Sequence, residues 1–322
     1  MKRVEKTIIL ILAVTIAGGC TVNEIVKKQN TDANPGFYTK RVVFIVPNSE
    51  NRYWTLAENG VKAASEAYGI SLKIKEPLSN TDNSSEIITM LDEAIATEAD
   101  AIIIRGEENE EMISHLEEAK EKGILVGFID SDNTGFARDF YVGTDNIDAG
   151  KKLAQKVLEI VGDEADIGIL SCESSALNLQ EREKGFREIC SLYPNISVNV
   201  EVDEQASKKS ARDHLENLVE KKLDAIVALE GYGTLAISTM LDSGQLDFIN
   251  LFGFDYDSEH YENAVKNSSI IGILTQQPYK MGYTCVEMLD HIWKNDKSSD
   301  TTLIPTIYID KSNVESFQEE GL

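Results

Sequence analysis

The sequence predicts an α/β protein built as two doubly wound lobes, and three observations carry that reading. Short apolar runs alternate with amphipathic stretches from Arg41 onward. Several runs are nearly continuous Ile, Val, Leu and Ala, the signature of strands buried on both faces of a parallel sheet. The stretch after the first forty residues is also longer than one hydrophobic core normally serves, so two lobes are expected.

Strands are expected at Val42–Pro47, Leu72–Lys75, Ala101–Arg105, Leu125–Asp130, Phe140–Gly143, Asp166–Ser171, Val198–Val202, Ala225–Glu230, Asn250–Asp255, Ile270–Gln276 and Thr306–Asp310. Helical periods lie between them. Trp54, Ala57, Val61, Ala64 and Tyr68 share one face, as do Leu153, Val157, Leu158 and Val161, and later Met281, Cys285, Met288, Leu289 and Ile292. Strands alternating with helices of this length make right-handed βαβ units.

The leader sets the compartment. Lys2, Arg3 and Lys6 precede the apolar stretch Ile8–Ile16, and Ala17-Gly18-Gly19-Cys20 follows. A basic head, an apolar body too short to span a bilayer and small residues before a cut site describe a secretory signal over residues 1–20. Cys20 directly after Gly-Gly reads as a lipobox, with Ala17 where a bulky aliphatic residue is usual, so Cys20 is the expected acylation site. Residues 21–40 are polar, carry Pro35-Gly36 and read as a flexible tether. The folded body is therefore placed outside the cytoplasm, lipid-anchored to the membrane.

The formal net charge is -24, which argues against nucleic acid as a partner, because phosphate binding needs clustered Lys and Arg. No HExxH, GxSxG or P-loop is present. Gly231-Tyr232-Gly233 lacks the third glycine of a dinucleotide fingerprint. Asp130-Ser131-Asp132 opens like a calcium loop, but Tyr141 stands where a bidentate Glu is needed. His115, His214, His260 and His291 are isolated in polar helical contexts, and Cys285 falls in an apolar stripe. No enzyme activity, cofactor or metal is expected.

Open α/β sheets bind ligands beyond the carboxyl ends of their strands. Those ends carry Asn51, Tyr53 and Trp54 after the first strand, then Arg105, Asp130, Glu230, Asp255 and Gln276, with Arg182 in the helix after Ser171. Aromatic faces cover the C–H patches of a sugar ring. Carboxylates, amides and guanidinium groups meet its hydroxyls.

At these positions the chain, over Arg41 to Asn313, resembles the type I periplasmic binding proteins of the ribose and galactose type. Asn51 with Tyr53-Trp54, Asp130 after Leu125–Ile129, Tyr141–Gly150, Glu181-Arg182 with Gly185-Phe186, Phe252-Gly253-Phe254-Asp255 and Thr275-Gln276-Gln277-Pro278 carry the resemblance. It implies lobes of 41–144 plus 276–303 and 145–275 plus 304–322, joined by a three-strand hinge and closing on a ligand. It further implies a monomeric receptor serving the permease of an ABC importer or, alternatively, a membrane sensor. A regulator of the lactose-repressor type shares this core, but a leader stands where its DNA-binding helices belong. Ser131 replaces an Arg of the ribose type, Arg105 an Asn, and Glu230-Gly231 an Asn-Asp pair. These departures point away from ribose toward an amino, acidic or otherwise modified sugar.

Overall fold

A computed structural model describes residues 40–47, 51–78, 84–172, 176–203, 208–296, 299–318 and 320–321. The leader, Cys20 and the tether through residue 39 lie outside the described residues. In chain order come β1 (Arg41–Ile45), α1 (Arg52–Tyr68), β2 (Ser71–Lys75), α2 (Ser84–Ala96), β3 (Ala101–Arg105), α3 (Glu110–Glu121), β4 (Leu125–Asp130) and β5 (Phe140–Thr144). Then follow α4 (Asn146–Val161), β6 (Glu164–Cys172), α5 (Leu177–Cys190), β7 (Asn195–Asp203), α6 (Lys208–Val219), β8 (Ala225–Ala228), α7 (Gly231–Met240) and β9 (Asn250–Phe254). The described chain continues through α8 (Ser258–Lys266), β10 (Gly272–Thr275), α9 (Pro278–Trp293), β11 (Thr301–Ile304) and β12 (Ile307–Asp310).

These strands form two six-stranded sheets, ordered β11-β5-β4-β3-β1-β2 and β12-β10-β9-β8-β6-β7. In each, the order reverses beside the first-formed strand, which makes the doubly wound topology with helices on both faces. The apolar runs behave as expected: β8 is buried throughout, β1 after Arg41, and β3 up to Arg105. Register is parallel, as in Ile102 against Val126 and Ile226 against Leu251. Two buried clusters flank the first sheet and two flank the second. The described chain passes between sheets after β5, after β10 and after β11.

Two details depart from the sequence reading. β12 runs antiparallel to β10, pairing Ile309 with Ile273. β11 was not anticipated: Thr301-Thr302-Leu303-Ile304 is an edge strand with one fully buried residue, so it shows no apolar run. Several ends also shift by one to three residues, as strand termini fray.

Each lobe contains one tightly apposed helix pair. A Cβ on Gly60 of α1 would lie 1.9 Å from the Tyr279 carbonyl oxygen, and one on Gly282 of α9 would lie 2.0 Å from that of Ala57. In the other lobe, Gly150 of α4 meets the Arg182 carbonyl and Gly185 of α5 meets that of Ile147, each at 2.0 Å. The reciprocal glycines let backbone touch backbone, so neither helix of a pair can rotate about its axis without a clash. Gly60→Ala should therefore cost about 1–3 kcal/mol, an overpacking penalty larger than the helix-propensity gain of alanine. Urea unfolding checks this; an unchanged or higher midpoint would show that the pair yields at no cost.

Candidate functional site

The carboxyl ends of the strands turn directly into helix N-termini, and polar side chains cap them. Asn51 caps α1 by accepting from the Tyr53 amide at 2.9 Å, and Asp145 caps α4 through the Asp148 amide. Glu230 caps α7 with both oxygens, accepting from the amides of Tyr232 at 2.5 Å and Gly233 at 2.7 Å. Asp257 caps α8 through the Glu259 amide. Four helix N-termini with their partial positive charge thus sit at the strand ends.

Arg182 is the centre of the arrangement, with only 1 % of its surface exposed. Its Nε donates to Asn146 Oδ1 and its Nη1 to the Leu229 carbonyl, both at 2.9 Å. The guanidinium lies 4.1 Å from the centre of the Phe254 ring. Nη2 is buried and has no hydrogen-bond partner among the described residues. An unsatisfied charged donor costs several kcal/mol of desolvation, so its place in a fold calls for an acceptor brought from outside.

Facing it from the first lobe, the Tyr53 hydroxyl donates to Asp130 Oδ1 at 2.7 Å and lies 3.3 Å from Met281 Sδ. Burial pushes that phenol well above its ordinary range, reinforced by the charges of Asp130 and Asp255. Asn178 Nδ2, on α5, reaches Asp130 Oδ2 at 3.3 Å across the cleft. Asp130 and Asp255 close β4 and β9 in left-handed backbone conformations, with φ of 69° and 61°. Such geometry in a residue with a side chain costs about 1–3 kcal/mol and gathers at ligand sites. Here it turns each carboxylate off the strand end toward the cleft.

Gln276 joins the site to the crossings between sheets. Its Nε2 donates to Asp255 Oδ1 at 3.0 Å and its Oε1 accepts from Thr144 Oγ1 at 2.8 Å. Burial raises Asp255 above its ordinary range, with Arg182 and Gln276 opposing. Burial also pushes Glu230 up to about 7, despite the two amides that hold it.

Of the nine residues singled out from the sequence, Tyr53, Asp130, Arg182, Glu230, Asp255 and Gln276 come together here. The other three are engaged locally. Asn51 caps its helix. Trp54, 6 % exposed, packs in the core with Phe44 and Ile129 and meets Tyr53 edge-on at 5.1 Å. Arg105 Nε donates to Glu107 at 2.9 Å. Asn146, Asn178 and Tyr141 join the site without having been anticipated; the Tyr141 hydroxyl donates to the Asp130 carbonyl at 2.9 Å. A cavity of about 300 Å³ adjoins it between the lobes, lined among others by Asp132, Tyr141, Asn146, Asn178, Glu181 and Leu303.

Each histidine is at least partly exposed and stands near one carboxylate: His115 meets Asp92 at 2.6 Å and His260 meets Asp257 at 2.8 Å, while His214 and His291 lie 3.4 Å from Glu201 and Asp296. No metal-sized cluster of His, Cys, Asp and Glu occurs among the described residues. Cys190 and Cys285 are free, buried thiols. No helix among the described residues is long and apolar enough to cross a membrane.

Residues 42–297 match the periplasmic binding protein domain. The chain belongs to that family. A D-apiose import binding protein of Actinobacillus succinogenes is 22% identical over 288 residues, covering 87% of this chain and 91% of the relative. GanP, a glucose-galactose binding protein of Geobacillus stearothermophilus, superposes with a TM-score of 0.79 at 25% identity over 85% of this chain and 98% of its own. A solute binding protein of Burkholderia graminis, solved with D-arabinose, gives 0.80 at 21% identity over 88% and 99%. These relatives are named as binding proteins, not enzymes.

The Glu230 carboxyl sets a pH dependence. Its folded pKa lies above the ordinary 4.5, so the folded state holds the proton more tightly than the unfolded chain. Stability is then greatest below the ordinary value and falls as pH rises toward about 7, a loss of about 3 kcal/mol for a shift of this size. Asp255 acts in the same sense. Glu230→Gln should flatten, though not abolish, the fall in unfolding free energy between acidic and neutral pH. An undiminished slope in urea titrations would assign the dependence to other groups.

Proposed function

We propose that this chain is an extracytoplasmic receptor that captures a monosaccharide or a derivative and delivers it to the permease of an ABC importer. The single observation that carries the reading is the buried, unpartnered Nη2 of Arg182, set opposite the carboxylates of Asp130 and Asp255 in a cleft between two sheets. A polyhydroxylated ring supplies the acceptor that Nη2 lacks and the donors that the carboxylates use. The names of the relatives, importers and binders of aldoses, support the same ligand class.

The lobes 41–144 plus 276–303 and 145–275 plus 304–322 act as the two jaws, the chain as a monomer, and Cys20 as the lipid anchor that keeps it near the permease. Asn178 to Asp130 and the ion pair of Arg52 with Asp257 at 3.7 Å join elements of the two sheets. Ligand touching both jaws favours the closed form by its differential affinity, and the closed face is what a permease recognises.

Thermal-shift measurements with aldopentoses and aldohexoses test the ligand class. At least one should raise the melting temperature in a concentration-dependent way. Asp255→Asn keeps the shape but removes the charge, and should weaken that sugar by about tenfold to a hundredfold, the worth of one charged hydrogen bond. Shifts with amino acids or peptides but with no sugar would overturn the assignment. Trp54→Ala is a poor probe of binding, because emptying its core position costs about 3–5 kcal/mol by itself.

A further inference from the structure

Ile129, Asp130 and Ser131 form a turn of an uncommon kind. The Ser131 amide donates to the Ile129 carbonyl at 2.9 Å, and Asp130 between them has a φ of 69°. A three-residue turn closed in this way around a positive central φ is the rare, strained form of the γ-turn. Asp255, the other left-handed carboxylate at a strand end, makes no such turn: the next amide, of Tyr256, donates to Thr275 Oγ1 at 3.1 Å. Strain of this kind persists only where the surroundings over-determine the backbone.

Both neighbours of β4 hold the turn. Just past β3, the Gly106 amide donates to the Ser131 carbonyl at 2.9 Å, and a Cβ on Gly106 would lie 2.7 Å from that same oxygen. From β5, the Tyr141 hydroxyl donates to the Asp130 carbonyl at 2.9 Å. The second bond follows from the register. Gly143 pairs with Asp130 across β4 and β5, and Tyr141, two residues earlier, shares the face of Gly143. The Tyr141 ring lies back over that glycine, where a Cβ would sit 1.9 Å from the hydroxyl oxygen. The absent side chain at Gly143 is what lets the hydroxyl reach the residue opposite. The Arg138 guanidinium, bound to Asp132, lies 5.5 Å from the ring centre. Burial, reinforced by the charges of Asp130 and Asp132, pushes the phenol well above its ordinary range, so it remains a donor through the neutral range.

Resting on the reading of Asp130 as a sugar contact, we infer that Tyr141 is a positioning residue of the site: its hydroxyl holds the γ-turn closed and so fixes where the Asp130 carboxylate stands. That carboxylate has a narrow place to fill. Oδ1 receives the Tyr53 hydroxyl at 2.7 Å, and Oδ2 receives Asn178 Nδ2 of the other lobe at 3.3 Å. Both contacts depend on the direction in which the side chain leaves the backbone, which the φ of residue 130 sets. The strain of a left-handed residue and the worth of one hydrogen bond are of the same order, so loss of the hydroxyl is enough to tip the turn. Tyr141 acts through the Asp130 backbone.

Crystal structures of the full-length chain and of its Tyr141→Phe variant, each grown without ligand, decide whether the hydroxyl holds the turn. In the variant, residue 130 should leave the left-handed region and its carboxylate should part from Tyr53. A variant that keeps the parent's φ and carboxylate position would overturn the inference. Calorimetric titration with the D-aldopentoses and D-aldohexoses reads the consequence. A sugar that binds the parent should bind Tyr141→Phe about tenfold more weakly, about the worth of one hydrogen bond. That ratio should shrink in an Asp130→Asn background, because the two residues act as one unit. Equal losses in both backgrounds would overturn the inference and leave the sugar reading standing. A relaxed turn in the variant, with none of these sugars bound by the parent, would overturn the sugar reading and leave Tyr141 as the residue that holds the turn.

Discussion

The arrangement depends on how a full guanidinium is kept in the interior of the second lobe. Removing Arg182 from water costs several kcal/mol unless its donors are met, and three different elements meet them. The start of α4 provides Asn146, the end of β8 the Leu229 carbonyl, and β9 the Phe254 ring. Those partners converge only because α4 and α5 approach at backbone distance, and Gly150 sits against the Arg182 carbonyl itself. The same close contact that packs the lobe therefore also aims Arg182. One donor is left over by this geometry, and it is the donor a ligand can use.

Each lobe also contributes a carboxylate by a different device, Asp130 from the first and Asp255 from the second. Asp130 and Asp255 leave their strands in left-handed conformations, which spends local stability to turn a carboxylate into the cleft. Asp255 is then bound by Gln276, and Gln276 by Thr144, so a chain of hydrogen bonds runs from the site into two of the crossings between sheets. Asp255 is thus coupled through two hydrogen bonds to the chain segments that pass between the sheets.

Much of this was legible in the sequence, for a physical reason. Strands buried on both faces must be apolar throughout, so β3, β4 and β8 announce themselves, and the polar residue that ends each run marks the cleft. The same logic does not say what Asn51, Trp54 and Arg105 touch, because position at a strand end does not fix whether a side chain turns outward or finds a neighbour. Asn51 met the backbone two residues on, Arg105 met Glu107, and Trp54 went into the core. β11 was invisible because an edge strand needs no apolar run. Asn178 follows no strand directly; only the apposition of the two lobes shows that it reaches Asp130.

The acidity of the chain has two separate meanings. On the surface it is solvated, often paired along helices as Glu118 is with Lys122, and such pairs contribute little. In the cleft it is concentrated where water is excluded, and there four helix N-termini work against it. Their effect is local and limited. Glu230 accepts from two amides and still has its pKa pushed up to about 7, so desolvation outweighs the helix end even at the one carboxylate best placed to use it. Asp130 and Asp255 cap no helix and rely on Arg182, Tyr53 and Gln276. What the helix ends leave uncompensated, side-chain partners must compensate, which ties the charge state of these buried carboxylates to the packing that holds those partners in place.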